Sequence, residues 1–326
     1  MKIAILDGNN LAFKIFSRFK ESRSGLLKNS LGIPTTVFFG FLRTLNLLVE
    51  KTKCDKTIIC WDISGSYYRK KIFPLYKKHR KVLDMKEYYE ELDSARKYFK
   101  RLGLNQATAK GIEADDLIGF LAYYFKDKKE KVIIVSDDKD YYQLVTSGIK
   151  IFRPIKNEFI NELFVKEEYG MLPKFLPRIK ALTGENTDFI PGVADIDEKN
   201  LKLIKKGLGE KTAIKILKNR KNLKDAIENC EFERWNDLLK LKRKQIFLSY
   251  KLSRIRTKKK QYLDWEQDLL LKALESLKEI KKPKVKTILR LMADLEIQSI
   301  NIIFILKKLG IQLKGASADG GFKIKT

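Results

Sequence analysis

An α/β fold with a mainly parallel sheet is predicted by two observations. Short apolar runs recur with helical segments between them, and three of those runs end in acidic residues. The runs are Ile3-Ala4-Ile5-Leu6 before Asp7, Thr57-Ile58-Ile59-Cys60-Trp61 before Asp62, and Val132-Ile133-Ile134-Val135 ahead of Asp138 and Asp140. Continuous apolar strands belong to parallel sheets covered by helices on both faces. Carboxylates at the carboxyl ends of neighbouring parallel strands converge on one point, where like charges must hold a proton or share a cation. Oxygen donors of this kind suit hard divalent ions such as Mg²⁺.

Taken in order, residues 2–6 read as the first strand, ending at Asp7-Gly8-Asn9-Asn10. A mixed helical segment and a loop over residues 22–34 follow. Val37, Phe38, Phe41, Leu42, Leu45, Leu48 and Val49 recur at helical spacing, which predicts a helix over 35–50. Residues 56–61 form the second strand, 63–82 a basic and aromatic stretch, and 85–101 and 114–126 two more helices. The third strand, 131–136, runs into the aspartates and a short helix, with further strands near 150–153 and 158–160. Beyond residue 172 the strand signal fades, punctuated by Pro173, Pro177 and Pro191. Residues 198–309 are helical in pattern and Lys-rich; 235–252 and 266–280 are amphipathic, and 296–309 is apolar enough to be mostly buried. The expected organisation is an α/β domain over 1–177, a helical domain over 178–313, and a flexible small-residue tail over 314–326.

The balance of charge is strongly basic. Among 326 residues, 68 Lys and Arg face 41 Asp and Glu, a formal net charge of +27. The excess is spread along the chain, which predicts a broad polyanion-binding surface rather than a basic tail; the alternative is a solvated basic surface. Cys54, Cys60 and Cys230 form no C-x-x-C pair, and with His79 as the single histidine a zinc site is disfavoured. That usage fits a reducing cytoplasm. No membrane-length apolar stretch and no signal peptide are expected. A basic chain with an acidic, metal-holding centre reads as an enzyme that hydrolyses nucleic acid.

Several motifs sharpen this. Glu113-Ala114-Asp115-Asp116 opens a helix. A favourable helix dipole explains one or two of these acids but not three. In the D-x-D of Asp138 and Asp140, both side chains point one way along extended backbone, and Asp137 points away as a structural acid. Residues 66–81 interleave lysines and arginines with tyrosines, a composition that pairs with phosphates and stacks on bases, or else forms a solvated loop. Gly207-Leu208-Gly209-Glu210-Lys211-Thr212 precedes a helix with Ala213, Ile214, Ile216 and Leu217. Glycines before a helix N-terminus let backbone approach a phosphate, although a plain turn has the same composition. Lys242-Arg243-Lys244 and Lys258-Lys259-Lys260 either extend a duplex track or are solvated, and Trp235 and Trp265 read as core.

Over residues 1–217 these motifs, in this order, resemble the flap endonuclease or 5′–3′ exonuclease family. The carriers are Asp-Gly-x-Asn at 7–10, Trp61-Asp62, Tyr76-Lys77-x-x-Arg80, the Glu113 to Asp116 cluster, and Asp138-Lys139-Asp140 with Tyr142-Gln143-Leu144. Gly184-Glu185-x-x-Asp188 with Pro191-Gly192-Val193, and Gly207-x-Gly209-x-Lys211-Thr212-Ala213, complete the set. Within the family the chain looks most like the phage RNase H type, through Ser64-Gly65 with Tyr68-Arg69-Lys70. The resemblance implies a PIN-like nuclease core, a helical arch at about 63–100, and a helix-hairpin-helix-type DNA clamp in the C-terminal helical domain. It implies two Mg²⁺ ions, with Mn²⁺ as a substitute. Asp7, Asp62, Glu113, Asp115 and Asp138 would surround the first, and Asp116, Asp140, Glu185 and Asp188 the second. Lys77 and Arg80 would contact the scissile phosphate and Tyr76 would stack on a base. Arg69, Lys70, Gly207, Gly209, Lys211 and Thr212 would bind DNA, with K⁺ at the hairpin. The implied substrates are branched or 5′-flap DNA and RNA–DNA hybrids. The implied partners are a single-strand-binding protein, a sliding clamp or a polymerase, with the chain itself a monomer. His79 occupies a variable motif position and is expected at the surface.

Three departures stand out. The family usually has Asp where Glu185 stands and Asn where Phe189 stands, so the geometry of the second ion differs. Residues 194–206 separate two elements that nearly touch in most relatives. The alternatives there are an inserted helix that repositions the hairpin and a different placement of the turn motif. Two rival readings remain at this point: a branched-DNA-binding protein without catalysis, and a PIN-type ribonuclease.

Overall fold

The computed structural model describes residues 1–79, 85–278 and 282–315. Arg80 and most of the expected tail lie outside them. The chain begins with β1 (Lys2–Asp7), α1 (Gly8–Lys20), α2 (Thr36–Thr52), β2 (Lys56–Trp61), α3 (Tyr67–Ile72) and α4 (Lys86–Arg101). β3 (Asn105–Thr108), α5 (Ala114–Asp127), β4 (Lys131–Val135), β5 (Ile149–Arg153) and β6 (Glu158–Ile160) complete a six-stranded sheet of order β3-β2-β1-β4-β5-β6. The first five strands run parallel and β6 pairs antiparallel to β5. β3 was not expected: Asn-Gln-Ala-Thr carries no apolar run, because an edge strand needs to bury little and gains its place from the ladder with β2.

Alternation along the strands sorts the core into two layers. Ile3, Ile5, Ile58, Cys60, Val132 and Ile134 face α5 and the helices that follow it. Ala4, Leu6, Ile59, Trp61, Ile133 and Val135 face α1, α2 and α4. α4 buries Tyr88, Leu92, Ala95 and Phe99, so the second half of the segment expected as an arch is a helix packed on this layer.

After β6 come α6 (Glu162–Tyr169), α7 (Pro177–Thr183), the hairpin β7 (Asp195–Asp197) with β8 (Lys202–Ile204), and α8 (Glu210–Leu217). The segment over 194–206 therefore contains a two-stranded ribbon, not the inserted helix that was one of its two alternatives. α9 (Leu223–Glu228), α10 (Glu233–Leu241), α11 (Arg243–Ser253) and α12 (Asp264–Ser276) join the α5 layer. α13 (Val285–Asp294) and α14 (Ile302–Lys308) cross to the opposite layer and pack on α4 and α2. The helical segment thus embraces the sheet from both sides and shares its core. Trp235 is buried as expected, whereas Trp265 is 41% exposed.

Candidate metal centre and nucleic-acid site

Parallel strands deliver the acids as the sequence predicts. Asp7 ends β1, Asp62 follows β2, and Asp138 follows β4, on the three adjacent central strands. Glu113 is the N-cap of α5, with Asp115 and Asp116 in its first turn. Gly8 is required where α1 leaves β1, because a Cβ there would lie 2.3 Å from the Trp61 ring. The close approach of Trp61 brings the Asp62 loop against Asn9, whose Oδ1 accepts the Asp62 N–H at 2.8 Å.

Tyr141 sits at the centre of the first group. Its hydroxyl lies 2.7 Å from Asp115 Oδ1 and 3.0 Å from Asp7 Oδ2. One hydroxyl proton serves two carboxylates, so excess negative charge remains. Ser136 Oγ also donates to Asp7 Oδ2 at 3.1 Å. Burial, reinforced by Asp138, pushes Asp7 up to about 6. Burial followed by Asp7 and Asp138 raises Asp115 well above the usual carboxylate range. Among the described residues, no cation is ion-paired to Asp7, Asp115 or Asp138. Tyr141 was missed in the sequence although it directly follows the D-x-D of Asp138 and Asp140; a tyrosine beside these acids carried the only available signal.

The second group is different. Asp116 is fully buried. Arg69 Nη1 and Nη2 donate to its two oxygens at 2.8 and 3.0 Å, and Arg256 Nε donates at 2.9 Å. Burial pushes Asp116 up, but Arg69 and Arg256 outweigh it and hold the carboxyl below its usual range. Arg256 also forks onto buried Glu266 at 2.9 and 3.1 Å. Lys180 of α7 bridges Asp140 and Glu185, the latter at 2.6 Å. Neither Arg256 nor Lys180 was singled out by the sequence: Arg256 lies 140 residues from Asp116, and Lys180, inside α7, lies 5 residues before Glu185 with no motif that marks it.

Several expected nucleic-acid contacts are placed inside. Arg69 is 3% exposed, so its guanidinium, bound to Glu113 at 2.7 Å as well as to Asp116, faces the protein rather than DNA. Tyr76 is 3% exposed and packs with Phe73, Phe189 and Ile190, which leaves no face for a base to stack on. Its hydroxyl donates toward Asp188 at 3.2 Å. Lys77 adopts φ +56° and points inward; its Nζ lies 2.6 Å from Glu113 Oε1 and 3.6 Å from Asp188 Oδ2. His79 is half-buried against Phe189, with ring centroids 5.3 Å apart, rather than free at the surface. Lys70, Gly207, Gly209 and Lys211 are exposed, and Thr212 is partly so.

The Gly184 to Val193 turn explains the departures. Gly184 and Gly192 have φ +69° and +56°, and a Cβ on Gly192 would lie 2.2 Å from Gly184 N. Phe189 also has positive φ, at +57°, where asparagine is tolerated better. The strain is about 1–3 kcal/mol, while a buried phenylalanine is worth about 3–5 kcal/mol. Packing wins, since Phe189 is 1% exposed. Asp137 behaves as the structural acid expected, 6% exposed and 3.6 Å from Arg153.

The donor set suits an oxygen-seeking divalent ion at the first group. Among the described residues, no three acid, histidine or cysteine side chains already form a closed coordination cluster. The first group meets the chemical requirement all the same: buried oxygens, mutual repulsion and, among the described residues, no cation ion-paired to Asp7, Asp115 or Asp138. The second group does not fit as arranged, because Asp116 is sealed by two arginines and Lys180 stands between Asp140 and Glu185.

Fold and site together define a carboxylate-centred phosphodiesterase of the α/β type, and comparison with known proteins gives the family. Residues 2–170 match the family described as 5′-3′ exonuclease, N-terminal resolvase-like domain. A 5′-3′ exonuclease of Aquifex aeolicus is 30% identical over 298 residues, covering 91% of this chain and 92% of the relative. A 5′-3′ exonuclease of Buchnera aphidicola is 33% identical over 264 residues, covering 78% and 86%. The crystal structure of the bacteriophage T5 D15 flap endonuclease, described as a pseudo-enzyme–product complex with DNA and metal ions, superposes with a TM-score of 0.62. It is 17% identical and covers 94% of this chain and 100% of that one. The chain belongs to the 5′–3′ exonuclease family and is a nuclease that hydrolyses phosphodiester bonds.

Proposed function

We propose that the chain is a metal-dependent, structure-specific 5′–3′ exonuclease and flap endonuclease. It would act on branched and 5′-flap DNA and on RNA–DNA hybrids, removing flaps or RNA primers in replication and repair. The observation that carries this reading is the first acid group: Asp7 and Asp115 joined through Tyr141, with Asp138 beside them, and no cation ion-paired to any of the three among the described residues. Mg²⁺, or Mn²⁺ in its place, held there with Asp62 and Glu113 at the margin, would supply Lewis-acid charge at the scissile phosphate. Tyr141 fixes the facing oxygens of Asp7 and Asp115. Lys77, turned toward Glu113 and Asp188, holds its ammonium beside the acids, where a scissile phosphate would meet it. Arg80 would join it from the adjoining segment. Arg69 and Arg256 orient Asp116 and Glu113 instead of touching substrate. The two-ion form of the reaction would require Lys180 to release Asp140 and Glu185.

α7 and α8 pack against each other, and the exposed Gly207 to Lys211 turn leads into α8. This supports a clamp on duplex backbone, with K⁺ as the cation such a turn would take. The helical arch would include α3 and the turn after it. A single-strand-binding protein, clamp or polymerase would be the partners of a monomeric enzyme of this kind. No helix among the described residues is long and apolar enough to cross a membrane.

Cleavage of a 5′-flap duplex labelled at either end, with Mg²⁺ and then with EDTA, tests the reading. Metal-dependent cuts at the flap junction are expected. Tight binding without cutting in Mg²⁺ or Mn²⁺ would overturn it in favour of a non-catalytic branched-DNA-binding protein.

A further inference from the structure

Trp265 and Tyr67 form an exposed aromatic pair that the cleavage chemistry does not use. Trp265 is 41% exposed and Tyr67 50%. Their rings meet edge to face, 5.3 Å between centroids at 84°. The pair is fastened to the loop that carries Asp62. Asp62 Oδ1 accepts the N–H groups of Ser64 and Gly65 at 3.1 and 2.8 Å, and Ser64 Oγ accepts the Gly111 N–H at 2.6 Å. The Tyr67 N–H donates to the Gly111 carbonyl at 2.9 Å. Gly111 has φ +82°, and a Cβ there would lie 3.0 Å from the Trp265 ring, so the indole rests on bare backbone two residues before Glu113.

Exposed lysines occur on the segments that carry the pair and its supports. Lys70 is exposed, and its ammonium lies 3.8 Å from where a Gly65 Cβ would sit; Lys110 adjoins Gly111 and is exposed. Exposed Lys258, Lys259 and Lys260 precede α12, which begins beside Trp265. Exposed aromatic planes among ammonium groups suit a single strand, whose bases can stack and whose phosphates pair with the lysines. Duplex offers no unstacked base face and gains only the phosphate contacts. Hydrogen bonds tie the patch to the loop that carries Asp62 and to Gly111, two residues before Glu113.

We propose that the Trp265–Tyr67 patch is a stacking platform for the single-stranded 5′ segment of the substrate. This rests on the nuclease reading above. Trp61 and Trp235 are 1% and 7% exposed, so quenching of intrinsic fluorescence by added nucleic acid reports on Trp265.

The test uses the full chain in EDTA, so that nothing is cut, with a long-flap duplex and a nicked duplex lacking a flap. Fluorescence should fall with the flap substrate and change little with the nicked one. Trp265→Ala should bind the flap substrate about tenfold more weakly, with the nicked duplex bound as by wild type and Trp265→Phe restoring most of the loss. Tyr67→Ala should weaken flap binding in the same direction. Both flap-length DNA and its RNA counterpart should show the effect, since stacking does not read the sugar. Equal quenching by both substrates, or unchanged flap affinity in both alanine variants, would overturn the proposal. Mg²⁺-dependent cutting of the nicked duplex by wild type, run alongside, separates failure of the platform from failure of the nuclease reading.

Discussion

Two acid groups lie within one site, and they differ in what balances them. Around Tyr141, Asp7 and Asp115 share a single hydroxyl proton and have Asp138 for a neighbour. One residue further along α5, Asp116 is gripped by Arg69 and Arg256, while Asp140 and Glu185 share Lys180. Residue type is the same in both groups. The first is raised by burial and mutual repulsion and has no cation ion-paired to it among the described residues. The second carries its own. Like carboxylates therefore divide into ion-seeking and structural groups according to the side chains that long-range folding brings to them.

The largest effect expected from breaking this contrast is on cleavage. Asp138→Asn keeps an oxygen for the Asp140 N–H, now accepted at 2.8 Å, but removes a charge from the first group. Turnover should fall about a thousandfold or more, with flap affinity in EDTA nearly unchanged. Retained activity would remove Asp138 from the metal centre.

Stability gives the next largest. Asp116→Asn leaves two buried guanidinium groups short of a counter-charge, and urea denaturation should show a loss of about 3–5 kcal/mol. A small stability change with a large loss of ion affinity would instead make Asp116 a ligand.

Lys180→Met sharpens the comparison by giving the second group the character of the first. Titration with Mn²⁺ should reveal a second ion bound about tenfold more tightly than in wild type, worth about 1.4 kcal/mol. Unchanged binding would mean that Lys180 already yields to the ion.

The smallest effect is a pH dependence. Burial, with Asp138 nearby, places Asp7 at about 6, and burial with Asp138 and Glu185, against the pull of Lys180, places Asp140 at about 6, both above the ordinary 3.8. A raised native value means that their contribution to stability is full below the unfolded value and is lost as pH rises through about 6. Ions then gain what protons give up. The rise in Tm produced by Mg²⁺ should therefore grow from pH 5 to pH 8 in thermal unfolding scans, and a shift independent of pH would contradict the charge assignment.

Much of this was legible in the sequence. Apolar runs ending in Asp7, Asp62 and before Asp138 pointed to parallel strands and to convergence of the acids, because strand periodicity and chain direction are local properties. The helices over 35–50, 85–101 and 114–126 followed from spacing alone. β3 was illegible because an edge strand of polar residues carries no hydrophobic signal. Residues 194–206 hold a β-ribbon, where an inserted helix was one of two alternatives, since β7 and β8 are too short to show a period.

Tertiary structure alone decided which charges meet. Arg69 lies 47 residues from Asp116 and Arg256 lies 140 away, so no spacing rule couples them, yet they convert a candidate ligand into a sealed ion pair. Tyr76 and Trp265 exchanged places in the same way: the expected stacking platform is buried against Phe189, and the expected core residue stands exposed beside Tyr67. A motif specifies which side chains are near one another along the chain; whether each faces water or protein depends on the elements that pack across it. Here α11, the loop beyond it and the turn at Phe189 made that choice.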